Sequence, residues 1–312
     1  MPRILSTRRA RPLWFRILRL VVVGIIVFFV VRILIRHGGR LLEYRFEIDY
    51  RSLAAATLLL VLFYFCLGEM WRRILKAVGA PLPVWRNEAI YYYSSLSRYV
   101  PGKLWPVVGR LYLCGREGIG EGKTSASLVL EMVLNTGAAL TVFLLSLPFW
   151  RELKLPVSPA VLLVLVPVCL IVLYPKILTG VLNYLLGKLK REPLPAAPPF
   201  TKTILLAAGY AALWVLQGAA LYLFIPAFGL ENHWGLLELT GMFCLAWAVG
   251  FLSFLTPAGL VVREGVLVSL LSLQMAEPWA PLLISVASRL WMVVTEVLFA
   301  LVSMKIGFGR HA

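Results

Sequence analysis

The chain has 312 residues, is 60% hydrophobic and only 15% charged, and has a mean hydropathy of +0.84. No water-soluble core needs that much apolar surface, so a soluble enzyme or binding module is excluded and a polytopic membrane protein is expected. The net charge of +16 comes from cations beside apolar runs. Anionic lipid headgroups are therefore the expected partner, and no polar domain remains to hold nucleic acid.

In chain order, Arg3, Arg8, Arg9, Arg11, Arg16 and Arg19 lead into an apolar run that ends near Ile35. The run is long, Arg32 interrupts it late, and no small-x-small cleavage site follows. It reads as an uncleaved first span, over about 15–35, with Arg32 reaching back to the surface. About 20 apolar residues cross a bilayer as a helix. Further spans are expected at about 53–75, 124–147, 157–178, 201–226 and 279–303. Two more segments, about 86–115 and 238–274, are apolar but broken by proline near their middles.

The bias of Lys and Arg toward the cytoplasm orients this map. The N-terminal cluster, the stretch with Arg72, Arg73, Lys76 and Arg86, the proline-rich linker 175–202, and the C-terminal Lys305 and Arg310 read as cytoplasmic. The mixed-sign loop 36–52, the turn near Pro148–Pro156 and the loop 229–238 read as outside. All six spans alternate correctly if both broken segments return to the side they entered from. No extramembrane stretch is long enough for its own core, so 1–312 reads as one integral membrane domain.

The two breaks match. SRYVPGKLWPVVG at 97–109 and SFLTPAGLVVREG at 253–265 both read S-x3-P-x2-L-x4-G, offset by 156 residues. Pro101, Gly102 and Gly109 mark the first break; Pro257, Gly259 and Gly265 mark the second. Three spans lie between them, so the second copy is inverted relative to the first. The expected fold is all-α, with six to eight transmembrane helices in two inverted repeats (about 15–150 and 157–305), each holding a re-entrant segment. The alternative is a surface segment plus two full spans at 238–256 and 260–276, which makes eight.

Charges inside apolar runs usually face the bundle interior, where they pair or line a path. Glu131 and Asn135 share one face of the 124–147 span, and Arg289 and Glu296 share one face of the last span. Arg98, Lys103 and Arg110 surround the first break; Arg263 and Glu264 follow the second. Arg98, Lys103, Arg110, Glu131, Asn135, Arg263, Glu264 and Arg289 are the candidate ligands of a zwitterionic or anionic headgroup, because arginine holds phosphate bidentately. Glu69 and Glu296 also fit interfacial charges or satisfied structural pairs. Tyr91, Tyr92 and Tyr93, with Trp85 and Trp105, read as interfacial anchors that could border the path of a lipid.

Other chemistry is not supported. GIGEGKT at 118–124 lacks the first glycine of a phosphate loop, since Glu117 stands there, and no strand precedes it. Cys66, Cys114, Cys169 and Cys244 are scattered through apolar runs, and His37, His233 and His311 are isolated, so no metal, disulfide or nucleophile–base set is expected.

The signatures Arg98–Lys103 and Pro257–Glu264, with Gly109-Arg110, resemble those of the lysylphosphatidylglycerol synthase transmembrane-region family, also called flippase-like domain proteins. The likeness covers about 15–305. In relatives the first signature reads roughly R-Y-[LIV]-P-G-K and the second P-G-G-[LIV]-G-[VI]-R-E. Ala258 and Val261 replace glycines of the second, and Met132 and Asn135 stand where the family often has Arg and Asp. The resemblance implies transport of an aminoacylated phospholipid rather than its synthesis, since the chain ends without the soluble synthase domain.

Together these readings give a lipid flippase or polar-lipid transporter of the inner membrane of a bacterium or archaeon, with both termini cytoplasmic. Its cargo would be an aminoacyl-phospholipid, a polyisoprenyl-linked sugar or a hopanoid-type lipid. The second reading is a non-transporting partner that presents lipid to a separate glycosyl- or aminoacyl-transferase. A third, a membrane-embedded enzyme, would need a catalytic carboxylate pair or His cluster. No cofactor is expected, and a homo-oligomer is compatible with the sequence.

Overall fold

The computed structural model describes residues 48–99, 104–150, 199–252, 262–275 and 277–309, with a few positions between 177 and 188. The span expected at 15–35, most of that at 157–178, and the break residues Pro101, Gly102, Pro257 and Gly259 lie outside the described residues. Within them, all regular structure is helical.

Eight helices follow one another: α1 Tyr50–Ala77, α2 Val84–Leu96, α3 Trp105–Arg116, α4 Glu121–Ser146, α5 Phe200–Phe224, α6 Leu236–Leu252, α7 Val262–Leu271 and α8 Ala280–Gly309. Among the described residues, four helical stretches are long and apolar enough to cross a membrane: Tyr50–Ala77, Glu121–Phe149, Phe200–Phe228 and Ala280–Gly309. They coincide with the spans expected at 53–75, 124–147, 201–226 and 279–303. The chain is a membrane protein.

Each proline-broken segment is a pair of short helices. At about 1.5 Å per residue, α2, α3 and α7 are each under about 20 Å, short of a hydrocarbon layer of about 30 Å. The two arms of each pair pack on each other, α2 on α3 and α6 on α7.

Local chemistry fixes the ends. Asp49 caps α1, accepting from the Arg51 backbone N–H (3.0 Å) and the Ser52 hydroxyl (2.6 Å). The Ser52 hydrogen bond, aided by the Arg51 N–H, holds the Asp49 carboxyl below its usual range. Pro106 sits in the first turn of α3, where a missing N–H costs nothing.

The packing is almost unchanged when the halves are exchanged. α1 lies along α5 at the centre. α4 packs on α6 and α5, as α8 packs on α2 and α1. α3 meets α4 as α7 meets α8, and α1 meets α2 as α5 meets α6; the contact of α1 with α4 has no comparable counterpart. Two close approaches repeat the scheme. Gly68, the nineteenth residue of α1, admits Glu88, the fifth of α2; a Cβ there would lie 2.1 Å from the Glu88 carboxylate. Gly218, the nineteenth residue of α5, admits Thr240, the fifth of α6, at 1.9 Å.

The core sits between α1, α5 and the first arms. Leu60, Trp71, Tyr92, Tyr210, Phe224 and Phe243 are fully buried. The Tyr64 hydroxyl donates to the Met292 carbonyl (2.8 Å), and Trp291 donates from Nε1 to Thr57 (3.0 Å). These bonds tie α1 to α8.

Candidate functional site

Tyr91, Ser94 and Ser95 stand at i, i+3 and i+4 of α2 and so share one face. That face receives Arg110 from α3, which is 6% exposed. The guanidinium forms an ion pair with Glu131 of α4 and donates to Ser94 Oγ (3.3 Å) and Ser95 Oγ (3.5 Å). It also lies 4.1 Å above the Tyr91 ring and 4.7 Å above Trp71. Arg110 takes one oxygen of Glu131, and the Tyr91 hydroxyl donates to the other at 2.8 Å. A cation this buried requires such a partner together with hydrogen bonds.

The second half repeats the layout with other chemistry. Arg263 of α7, 8% exposed, lies 4.5 Å above Phe243 and donates to the Met292 sulfur at 3.5 Å. Phe243 is the eighth residue of α6, as Tyr91 is of α2. The ion pair is swapped in sign: Glu264 on the arm faces Arg289 on the span. Their 3.7 Å separation is longer than a hydrogen bond, and among the described residues the buried Nε of Arg289 has no hydrogen-bond partner.

Both sets open onto one cavity of about 370 Å³. From the first half come Tyr91, Ser95, Arg98, Pro106, Arg110 and Glu131. From the second come Trp247, Gly250, Phe251, Arg263 and Arg289. Trp247 and Phe251 stack with centroids 5.1 Å apart and planes 5° apart, forming a flat aromatic wall. Arg98 donates to the Ser95 carbonyl (2.9 Å) and pairs with Glu296 of α8 (2.8 Å). Glu131 stands four residues from the middle of the Glu121–Phe149 helix. That is about 6 Å along the helix axis. The cavity therefore offers guanidinium donors and aromatic faces near the middle of the helix bundle, which suits a polar, anionic group.

A larger cavity, about 590 Å³, lies between α2, α3 and the end of α8. Its Arg86 is committed to Glu117 (2.5 Å) and the Gly307 carbonyl (3.1 Å). It gathers none of the charges expected at membrane depth.

The family model of the lysylphosphatidylglycerol synthase TM region matches residues 16–300. The chain belongs to that family. A comparison with curated proteins found no match.

Of the residues singled out in the sequence, Arg98, Arg110, Glu131, Arg263 and Arg289 line the one cavity, and Glu264 touches it through Arg289. Lys103 lies outside the described residues. Asn135 is not in the lining; its backbone carbonyl accepts from Trp214 Nε1 at 3.2 Å, because one helical turn along α4 already faces α5. Gly109 and Gly265 break nothing: they lie inside α3 and α7. Gly109 instead lets α3 approach α2, since a Cβ there would meet Ser94 Cβ at 3.2 Å.

Glu69 is a structural pair with Arg72 (2.5 Å) and Arg73 (3.1 Å). The tyrosine run is not an interfacial belt throughout. Tyr93 is half exposed, but Tyr91 and Tyr92 are buried, Tyr92 donating to the Tyr64 carbonyl. Tyr91, Ser94 and Ser95 were missed as one unit, although their helical spacing was visible. Trp247 and Phe251 were missed because they sit in an unbroken apolar run.

Proposed function

We propose that the protein moves a polar lipid across the cytoplasmic membrane, its headgroup passing through the Arg-lined cavity while the tails stay in the bilayer. One observation carries this: arms from both broken segments, and the spans after them, meet around a single cationic cavity. The repeated glycine contacts and exchangeable packing support two repeats, read here as inverted, with each broken segment re-entrant. Arg98, Arg110, Arg263 and Arg289 are the headgroup-facing cations, joined by Lys103 from the first break. The whole chain is one membrane domain with both termini in the cytoplasm. It acts as a transporter rather than an enzyme.

The test is translocation of a tail-labelled phospholipid by purified protein in liposomes. Wild-type protein should accelerate it, and Arg263→Ala and Lys103→Ala should each slow it about ten-fold, the scale of a lost charge-assisted contact. Folded variants with unchanged rates would sink the site assignment. Tight lipid binding without movement would replace transport by presentation of lipid to a separate transferase.

A further inference from the structure

The family name points to a lysylated lipid, whose headgroup carries an ammonium. The charges around this cavity favour a different cargo. Among the described residues its lining holds four arginines, Arg98, Arg110, Arg263 and Arg289, and one carboxylate, Glu131. Both oxygens of that carboxylate already accept, one from Tyr91 and the other from Arg110, and the Arg110 guanidinium offsets its charge. The next acids lie outside the lining, Glu296 paired with Arg98 at 2.8 Å and Glu264 3.7 Å from Arg289. Counting all three acids, four cations still exceed them.

A second observation points the same way. Among the described residues the buried Nε of Arg289 has no acceptor, and its carboxylate is too distant to serve as one. A buried donor of this kind calls for an acceptor oxygen. Phosphate supplies several, in the fork geometry that guanidinium matches. The cavity volume suits a phosphate with a small polyol. The stacked Trp247 and Phe251 would flank the polyol's C–H face. An ammonium over those rings would gain cation–π attraction but meet the surplus positive charge.

We infer that the cavity selects an anionic, phosphate-bearing headgroup without a free amine, and rejects its aminoacylated form. This rests on the reading of the cavity as a lipid-headgroup site.

The experiment compares phosphatidylglycerol and lysylphosphatidylglycerol of identical chains, each titrated into the full-length protein in mild detergent, with inorganic phosphate as competitor. The unmodified lipid should bind about ten-fold tighter or more, as expected for reversing the charge opposite a cationic site. Its binding should weaken as salt rises. Arg289→Gln should erase most of the preference, checked by thermal melting for folding. The lipid comparison on unmodified protein needs no variant.

Equal or tighter binding of the lysylated lipid overturns the selectivity and leaves a lipid site standing. Binding of neither lipid overturns the lipid reading itself. Phosphate that displaces the lipid only at high concentration supports a lipid headgroup as the source. Phosphate that binds as tightly as the lipid makes the free ion the ligand and overturns the proposal.

Discussion

The two halves use one scaffold and load it differently. In the first, the arm cation Arg110 is held by Glu131, two serines and two aromatic rings, and Tyr91 closes the second oxygen of Glu131. In the second, Arg263 rests on Phe243 and the Met292 sulfur, and Arg289 stands 3.7 Å from Glu264. Thioether sulfur is a weak acceptor, and a long ion pair gives up its partner more easily than a short one. The ion pair of the first half is therefore the tight one, and that of Arg289 in the second half the loose one. Substitutions at matched positions can break or sharpen that division.

The largest effect belongs to Glu131. Glu131→Ala strands a buried guanidinium, and losing one partner of such a pair costs about 3–5 kcal/mol. The mutant should melt far below wild type in detergent. Its counterpart Glu264→Ala should cost less than half as much, because the Arg289 pair is long. Equal losses at the two positions would erase the distinction between the tight and the loose ion pair.

Next come the close approaches. Gly68→Ala and Gly218→Ala both overpack a helix contact, at a cost of about 1–3 kcal/mol. Relief should differ. The atoms nearest Gly68 all belong to the Glu88 carboxylate, so adding Glu88→Ala should restore most of the melting temperature. Thr240 Cβ itself lies 2.6 Å from a Cβ at Gly218, so Thr240→Ala should restore little. Rescue in both pairs, or in neither, would contradict the difference drawn between the two contacts.

A smaller change converts one half toward the other. Tyr91→Phe gives α2 the residue that α6 has at Phe243 and removes the donor to one Glu131 oxygen. The cost should be about 1–2 kcal/mol, that of an unsatisfied buried acceptor. Phe243→Ala should cost more stability, while keeping both charges in place. Double-mutant cycles of Tyr91→Phe with Glu131→Gln should show coupling, whereas Phe243 with Glu264 should not.

The spans were legible in the sequence because length and hydropathy alone decide them: 53–75 falls within α1, and 201–226 within the helical stretch Phe200–Phe228. The breaks were legible because proline and glycine interrupt long apolar runs. Pairing was not. Arg289 and Glu296 share a face, yet they partner Glu264 and Arg98 on other elements. Nor could the lipid-facing side of a helix be told from the protein-facing side, since both are apolar in a bilayer. That is why buried Tyr91 and Tyr92 looked like interfacial anchors. Asn87 and Glu88, both fully buried, carry no sequence signal that sets them apart from surface polar residues.

The smallest expected effects separate the two glycines that the repeat motif aligned. A Cβ at Gly265 meets nothing within 4 Å, and the residue lies inside α7. Gly265→Ala should therefore stabilise by up to about 1 kcal/mol through helix propensity alone. Gly109→Ala gains the same propensity but brings a Cβ to 3.2 Å from Ser94 Cβ, beside the Arg110 contacts, so its melting temperature should stay level or fall. Translocation rates then add a second readout. If the second half is the side that moves, Gly265→Ala should raise the melting temperature and slow transport. A raised melting temperature with an unchanged rate would leave Gly265 as a residue of sequence symmetry only.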